Sequence, residues 1–325
     1  MPVQDRFQDL SELRSFRLFE HFTDNQLAVL YQATRHERLA EKEVVYAEGQ
    51  AGDDFYVIVA GGVEAYRETM VGRQPVARLR VGQVFGEDSF VDGDVRSATV
   101  VGVQGGLLLR VDGAQARMLI GSLKGFDVAL LRSFWHALAA KVRQANAFMA
   151  EIAASGHEAP QRGPSERGEQ VNLQPSAKLG LFQEQGLGTA ELRLLATTLP
   201  AERFAPDAMI FFEGELGDSL YIVVDGEVRI SRRLSGMGEE TLAILGRGEV
   251  FGEMALIDEL PRSADARSHF RGCTVLRLTR NDLDELLGLE TAASAFLGLL
   301  CRLLTQRYRA MINHLITWRV MAGFS

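Results

Sequence analysis

Residues 44–66 read VVYAEGQAGDDFYVIVAGGVEAY, and residues 209–230 read MIFFEGELGDSLYIVVDGEVRI. At an offset of 165 residues they align Glu48-Gly49 with Glu213-Gly214, Gly52-Asp53 with Gly217-Asp218, and Tyr56 with Tyr221. Further on, VGQVFGEDSF (81–90) recurs as RGEVFGEMAL (247–256) and VRSATV (95–100) as PRSADA (261–266), now at an offset of 166. One residue inserted in a loop accounts for the change. The chain is a duplicated domain.

Each copy has the same layout. A helical lead-in, DNQLAVLYQAT (24–34) or TAELRLLATTL (189–199), precedes short runs rich in Val, Ile and Tyr that are separated by glycine. Such runs read as strands, and their close spacing predicts a small jelly roll or barrel. Gly61-Gly62 and Asp225-Gly226 stand where a tight hairpin turn would need positive φ. After each roll the period changes to that of a helix. Leu131, Phe134, Leu138, Val142, Ala145, Met149 and Ile152 form one apolar face, and Leu297, Leu300, Leu304, Tyr308, Met311, Leu315 and Trp318 form another. Core packing is the plain reading of both stripes, and a homodimer through the C-terminal one is the alternative.

The stretch EAPQRGPSERGEQVNLQPSAK (158–178) holds Pro160, Pro164 and Pro175 and lacks apolar periodicity, as a linker does. The domains are therefore read as 1–153, a first roll with its trailing helix; 154–178, a linker; and 179–325, a second roll with a long C-terminal helix.

Composition narrows the function. With 46% hydrophobic and 24% charged residues, the chain is of globular, folded type. A formal charge of -8 argues against general affinity for nucleic acid or anionic membranes. No apolar run is long enough to span a bilayer, and MPVQDRFQDL has no apolar signal core, so a cytoplasmic location is expected. Cys273 and Cys301 are too few for a disulfide scaffold or a cysteine metal site. The histidines at 21, 36, 136, 157, 269 and 314 show no His-x-x-x-His spacing, and no Walker loop, nucleophile elbow or kinase signature occurs. No catalytic residue, metal ligand or cofactor is expected. Arg232-Arg233-Leu234-Ser235, which looks like a basic kinase target, is read as a solvated connecting turn.

Chemistry concentrates in FGEMALIDELPRSADA (251–266). Gly252 lets the backbone turn close to a ligand, and the N–H groups of a short following helix, from Met254 and Ala255, would face an anion. Arg262 offers a planar, permanently charged fork suited to a phosphate, with the Ser263 hydroxyl beside it. Glu253 can accept a hydrogen bond from a sugar hydroxyl. Together these residues describe a pocket for one phosphate and one ribose.

The segment resembles the phosphate-binding cassette of the cyclic-nucleotide-binding domain family, whose motif F-G-E-x-A-L followed by P-R-x-A is matched by Phe251, Gly252, Glu253, Ala255, Leu256, Pro261, Arg262 and Ala264. The resemblance covers nearly the whole chain as two domains. It implies two eight-stranded β-rolls with flanking helices, mainly β with α, with the glutamate on the ribose 2′-hydroxyl and the arginine on the cyclic phosphate. The first copy, FGEDSFVDGDVRSATV (85–100), keeps Gly86, Glu87, Arg96, Ser97 and Ala98. It has Val95 in place of the proline, and Asp88 and Ser89 follow the glutamate. Asp88, Asp92 and Asp94 would oppose a phosphate if they faced it. Serine after the arginine in both copies leaves the base open; cyclic AMP is the expected ligand, with cyclic GMP the alternative.

The resemblance implies a non-enzymatic sensor that relays ligand binding through its helices to an effector protein. Two other readings remain open: an interaction scaffold whose rolls hold no ligand, and a catabolite-activator-like regulator lacking its own DNA-binding domain. DNA binding is not expected, because the chain stops at Ser325 directly after the long helix. Trp135 and Trp318 lie on the two trailing helices, and Trp318 is expected to carry most of a ligand-dependent fluorescence change.

Overall fold

The computed structural model describes residues 10–153, 165–185, 199–234 and 238–322. The chain divides into two compact units, one of Met1–Ala145 with Leu304–Ser325 and the other of Asn146–Leu303.

In the first unit, α1 (Leu10–Arg14) and the 3-10 turn Arg17–Phe19 lead into α2 (Asp24–Gln32). A capping box starts α2: Gln26 N donates to Thr23 Oγ1 at 3.2 Å, and Thr23 N donates to Gln26 Oε1 at 2.8 Å. The strands are β1 (Thr34–Leu39), β2 (Val44–Tyr46), β3 (Phe55–Thr69), β4 (Gly72–Arg80), β5 (Val84–Phe85) and β6 (Thr99–Val111), with α3 (Glu87–Asp92) between the last two. Then come α4 (Gly113–Ser122) and α5 (Phe126–Ala153).

The pairing explains how six strands make an eight-stranded roll. The second half of β6 lies between β1 and the first half of β3, which also pairs with β5. The first half of β6 lies between β2 and the second half of β3, which also pairs with β4. Each long strand thus serves two layers of four. The layers enclose a core of Leu39, Tyr46, Tyr56, Ile58, Val63, Leu79, Phe85, Val100 and Leu108.

The second unit repeats this plan. Its strands are β7 (Glu169–Val171), β8 (Ala201–Phe204), β9 (Met209–Phe211), β10 (Ser219–Leu234), β11 (Gly238–Leu245), β12 (Val250–Phe251) and β13 (Asp265–Thr279). Its helices are α6 (Pro175–Glu184), α7 (Glu253–Asp258), α8 (Arg280–Leu287) and α9 (Glu290–Ala322). Here β10 and β13 are the two long strands, and β7 adds an extra strand outside β8. The core holds Phe204, Ile210, Phe211, Tyr221, Val223, Val228, Phe251 and Val275.

Several expectations are corrected. Gly61 and Gly226 do adopt positive φ, +83° and +75°, but neither sits in a hairpin turn. The ladders shift register beside them, at Ala60/Gly62 and Gly226/Val228, while β3 and β10 run on. These are bulges that bend one strand from one layer into the next, and positive φ serves a bulge as well as a turn. Arg232 and Arg233 lie on β10 opposite Glu240 and Glu239 and are not in a loop; Ser235 is outside the described residues. Of the stretch read as a linker, 154–164 lie outside the described residues, while 169–171 form β7 and Pro175 opens α6. The second lead-in, through residue 198, and the side chains of Met149, Ile152 and Trp318 are likewise outside.

The apolar stripes are core. Phe134, Trp135, Leu138 and Val142 on α5 and Leu297, Leu300, Leu304, Tyr308, Met311 and Leu315 on α9 are buried within the single chain. A homodimer built on the α9 seam would first have to unpack it.

Candidate functional site

Both cassettes are assembled in the same way, each by three segments of its own roll. The residue before the short helix, Gly86 or Gly252, has φ of +82° or +78°. A Cβ at Gly86 would lie 2.7 Å from Arg96 Nη1, and one at Gly252 would lie 2.6 Å from Arg262 Nη1, so only glycine fits. The arginine closes back on this turn: Arg96 Nη1 donates to Gly86 O at 3.2 Å and Arg262 Nη1 to Gly252 O at 2.6 Å. Its own backbone is held by the Glu-Gly turn of the repeat. Gly49 N donates to Arg96 O at 2.9 Å and Arg96 N to Gln50 O at 3.0 Å; the second copy has Gly214 N to Arg262 O at 2.9 Å and Arg262 N to Glu215 O at 2.8 Å. The two most similar stretches of the repeat are therefore the two sides of one site.

Beneath each guanidinium lies an aromatic bed. Arg96 Cζ is 4.3 Å from the centroid of the Tyr46 ring, and Arg262 Cζ is 4.2 Å from that of Phe211. Tyr56 stacks on Phe85 at 5.0 Å and Tyr221 on Phe251 at 5.1 Å. Tyr46 and Phe211 were not among the expected site residues, although both stand two residues before the repeated glutamate.

The electrostatics are unusual for arginines so enclosed. Arg96 is 4% exposed and Arg262 is 6% exposed, yet among the described residues neither is paired with a carboxylate. Burial pushes the Arg262 pKa below the ordinary guanidinium value, and its Nε has no hydrogen-bond partner among the described residues. The charges of Glu253, Asp218 and Glu215 offset only part of that burial without forming an ion pair, and an anion bound against the guanidinium would offset more of it.

The other expected residues gather at the same places. Glu87, Asp88 and Ser89 are buried in the first copy, as are Glu253, Met254 and Ala255 in the second. Ser97 Oγ donates to Asp88 Oδ2 at 2.5 Å, and Ser263 Oγ lies 3.7 Å from Met254 Sδ. Each cassette serine is thus turned toward the short helix.

The copies differ in what covers them. Lys141 of α5 donates to Glu87 Oε1 at 2.5 Å. Burial raises the Glu87 pKa above the ordinary carboxylate value, and the Lys141 charge opposes that rise. The end of α9 also packs in the first unit, where Arg309 donates to Asp92 at 2.7 and 3.1 Å and to Val95 O at 2.9 Å. Arg309 lies 3.7 Å from Asp88 as well. Two of the acids expected to repel a phosphate are thereby matched by a cation, and Asp94 is exposed. Tyr308 is buried next to Lys141, whose Nζ is 5.8 Å from the ring centroid. No local motif marks Lys141, Tyr308 or Arg309, because each reaches the cassette from a distant helix.

The sequence model of the cyclic nucleotide-binding domain matches residues 36–122 and 201–289. Among curated relatives, the cyclic AMP receptor protein of Thermus thermophilus is 44% identical over 81 residues, 25% of this chain and 38% of that protein. A cAMP-dependent protein kinase regulatory subunit of Colletotrichum orbiculare is 26% identical over 277 residues, 81% of this chain and 59% of that protein. The chain thus spans well under two thirds of the length of these relatives. Among solved structures, the regulatory domain of Toxoplasma gondii PKA with cAMP has a TM-score of 0.33 and 22% identity, covering 87% of this chain and 92% of that one. No helix among the described residues is long and apolar enough to cross a membrane.

Proposed function

The chain belongs to the cyclic nucleotide-binding domain family, and we propose that it is a non-enzymatic sensor that binds cyclic AMP and relays binding to a partner protein. The observation that carries this reading is the pair of buried guanidinium groups, Arg96 and Arg262, each on an aromatic bed and without a carboxylate. A monoanionic cyclic phosphate supplies the missing charge to either one. Glu253 and Glu87, beside the arginines, accept the ribose 2′-hydroxyl. Gly252, Met254, Ala255 and Ser263 complete the second site, and Gly86, Asp88, Ser89 and Ser97 complete the first. Cyclic GMP is the competing ligand, since Ser97 and Ser263 stand where either base could be served.

At the first site Lys141 already occupies Glu87, so ligand must displace an ammonium to gain the ribose contact. Displacement would free α5, giving a route by which differential affinity for two helix positions becomes a signal. The protein acts in the cytoplasm on this reading, with an effector protein and not DNA as its partner.

Calorimetry of the full chain with cyclic AMP and then cyclic GMP tests the proposal. Saturable binding of either, lost at the second site in Arg262→Ala, supports it. Silence with both would favour a ligand-free interaction scaffold.

A further inference from the structure

The fold brings His136 of α5 against the consecutive residues Glu20 and His21, outside both cassette motifs. His21 Nε2 lies 3.1 Å from Glu20 Oε1, and His136 Nε2 lies 3.8 Å from the same oxygen. All three donors fall within 4.8 Å of one another. The imidazole rings stack at 5.6 Å with an interplanar angle of 27°, which sends both Nε2 atoms toward the carboxylate. His21 Nε2 is buried and has no hydrogen-bond partner among the described residues.

From this arrangement we propose that Glu20, His21 and His136 form a binding site for a divalent first-row transition ion of the Zn2+ type. Two imidazole nitrogens and one carboxylate oxygen are a donor set that suits such an ion and leaves one position of a tetrahedron to water. Donors on a tetrahedral zinc at bonds of about 2.0–2.1 Å stand about 3.3–3.4 Å apart, and the three here already lie within 4.8 Å of one another.

Hydrogen bonds and a ring contact hold the supporting frame together. Arg14 Nη1 donates to Phe19 O at 3.1 Å and to Phe22 O at 2.5 Å, fixing the turn that carries Glu20 and His21. Ser133 Oγ donates to Leu18 O, and Phe22 packs edge-on against Phe126 at 5.6 Å, which tie that turn to α5. Positioned donors of this kind reduce the ordering cost of binding. Arg17, 4.0 Å from Glu20 and largely exposed, must swing away when an ion enters. The ion would clamp the N-terminal turn onto the helix that also bears Lys141.

The full chain, stripped with chelator, is titrated with Zn2+ by calorimetry and with Co2+ by visible absorption. One equivalent of Zn2+, the intense bands of four-coordinate Co2+, and no response to Mg2+ or Ca2+ are expected. His21→Gln, His136→Gln and the exposed Glu20→Gln should each weaken Zn2+ binding at least about tenfold. Circular dichroism of the metal-free variants checks that they fold, and Glu20→Gln remains informative if either histidine variant does not. Absent Zn2+ binding, or wild-type affinity in all three variants, overturns the site; the latter would move binding to other surface histidines.

Discussion

Lys141 and Glu87 form an ion pair of 2.5 Å between side chains that are 7% and 0% exposed. Breaking such a buried pair by removing one partner typically costs about 3–5 kcal/mol. In the proposed sensor the same contact competes with the ribose. Lys141→Met, placed on an Arg262→Ala background so that only the first site reports, should therefore lower stability by about 3 kcal/mol while tightening cyclic AMP by about tenfold. Denaturant titration reads the first quantity and calorimetry the second. Loss of stability with unchanged affinity would show that Lys141 does not guard the ribose position.

Arg262 should behave in the opposite sense. Its guanidinium lacks a carboxylate partner among the described residues, so Arg262→Ala relieves a buried charge and should leave the thermal midpoint within a few degrees of wild type. Affinity at the second site should fall by about 2–5 kcal/mol, more than tenfold. Arg262→Lys should fail to restore it, since an ammonium cannot reproduce a planar fork. A large loss of stability with intact binding would mark the arginine as structural.

Gly61 tests the bulge. A Cβ there would lie 2.8 Å from Gly105 O and 2.9 Å from Gly106 Cα, at φ +83°. Gly61→Ala should cost about 1–3 kcal/mol or more. At Gly62 the nearest atom is Leu79 O at 3.1 Å, and Gly62→Ala should cost less. Equal effects in chemical denaturation would remove the bulge as the reason for glycine at position 61.

Trp135 is 3% exposed on α5, and its Nε1 has no hydrogen-bond partner among the described residues. If ligand displaces Lys141 and shifts α5, the emission of Trp135, read alone in Trp318→Phe protein, should change saturably. Binding by calorimetry with no emission change from Trp135 would mean that α5 stays in place. The side chain of Trp318, expected from sequence to dominate, lies outside the described residues.

The duplication, the rolls and the cassettes were legible because each rests on short-range pattern: Val and Ile runs between glycines, and FGE followed by an arginine nine residues after the glutamate. What was not legible is long-range or ambiguous in kind. Gly61 reveals a need for positive φ, yet the same backbone angle serves a hairpin and a bulge, and only the β6 register decides. The aromatic bed was readable in principle from Tyr46 and Phe211. Lys141 and Arg309 reach the first cassette from α5 and α9, and nothing near them in sequence points there. His21 and His136 meet only because the N-terminal turn packs on α5, so a search for local ligand spacing passes over them.

The bent strands have a further consequence for unfolding. Because β3 and β6 each run through both layers of the first roll, as β10 and β13 do in the second, neither layer owns a complete set of hydrogen-bonded ladders. Pulling one layer apart strips partners from strand halves that continue directly into the other. Each roll therefore melts as a single cooperative unit, and amide exchange on the two halves of β3 should report the same opening free energy.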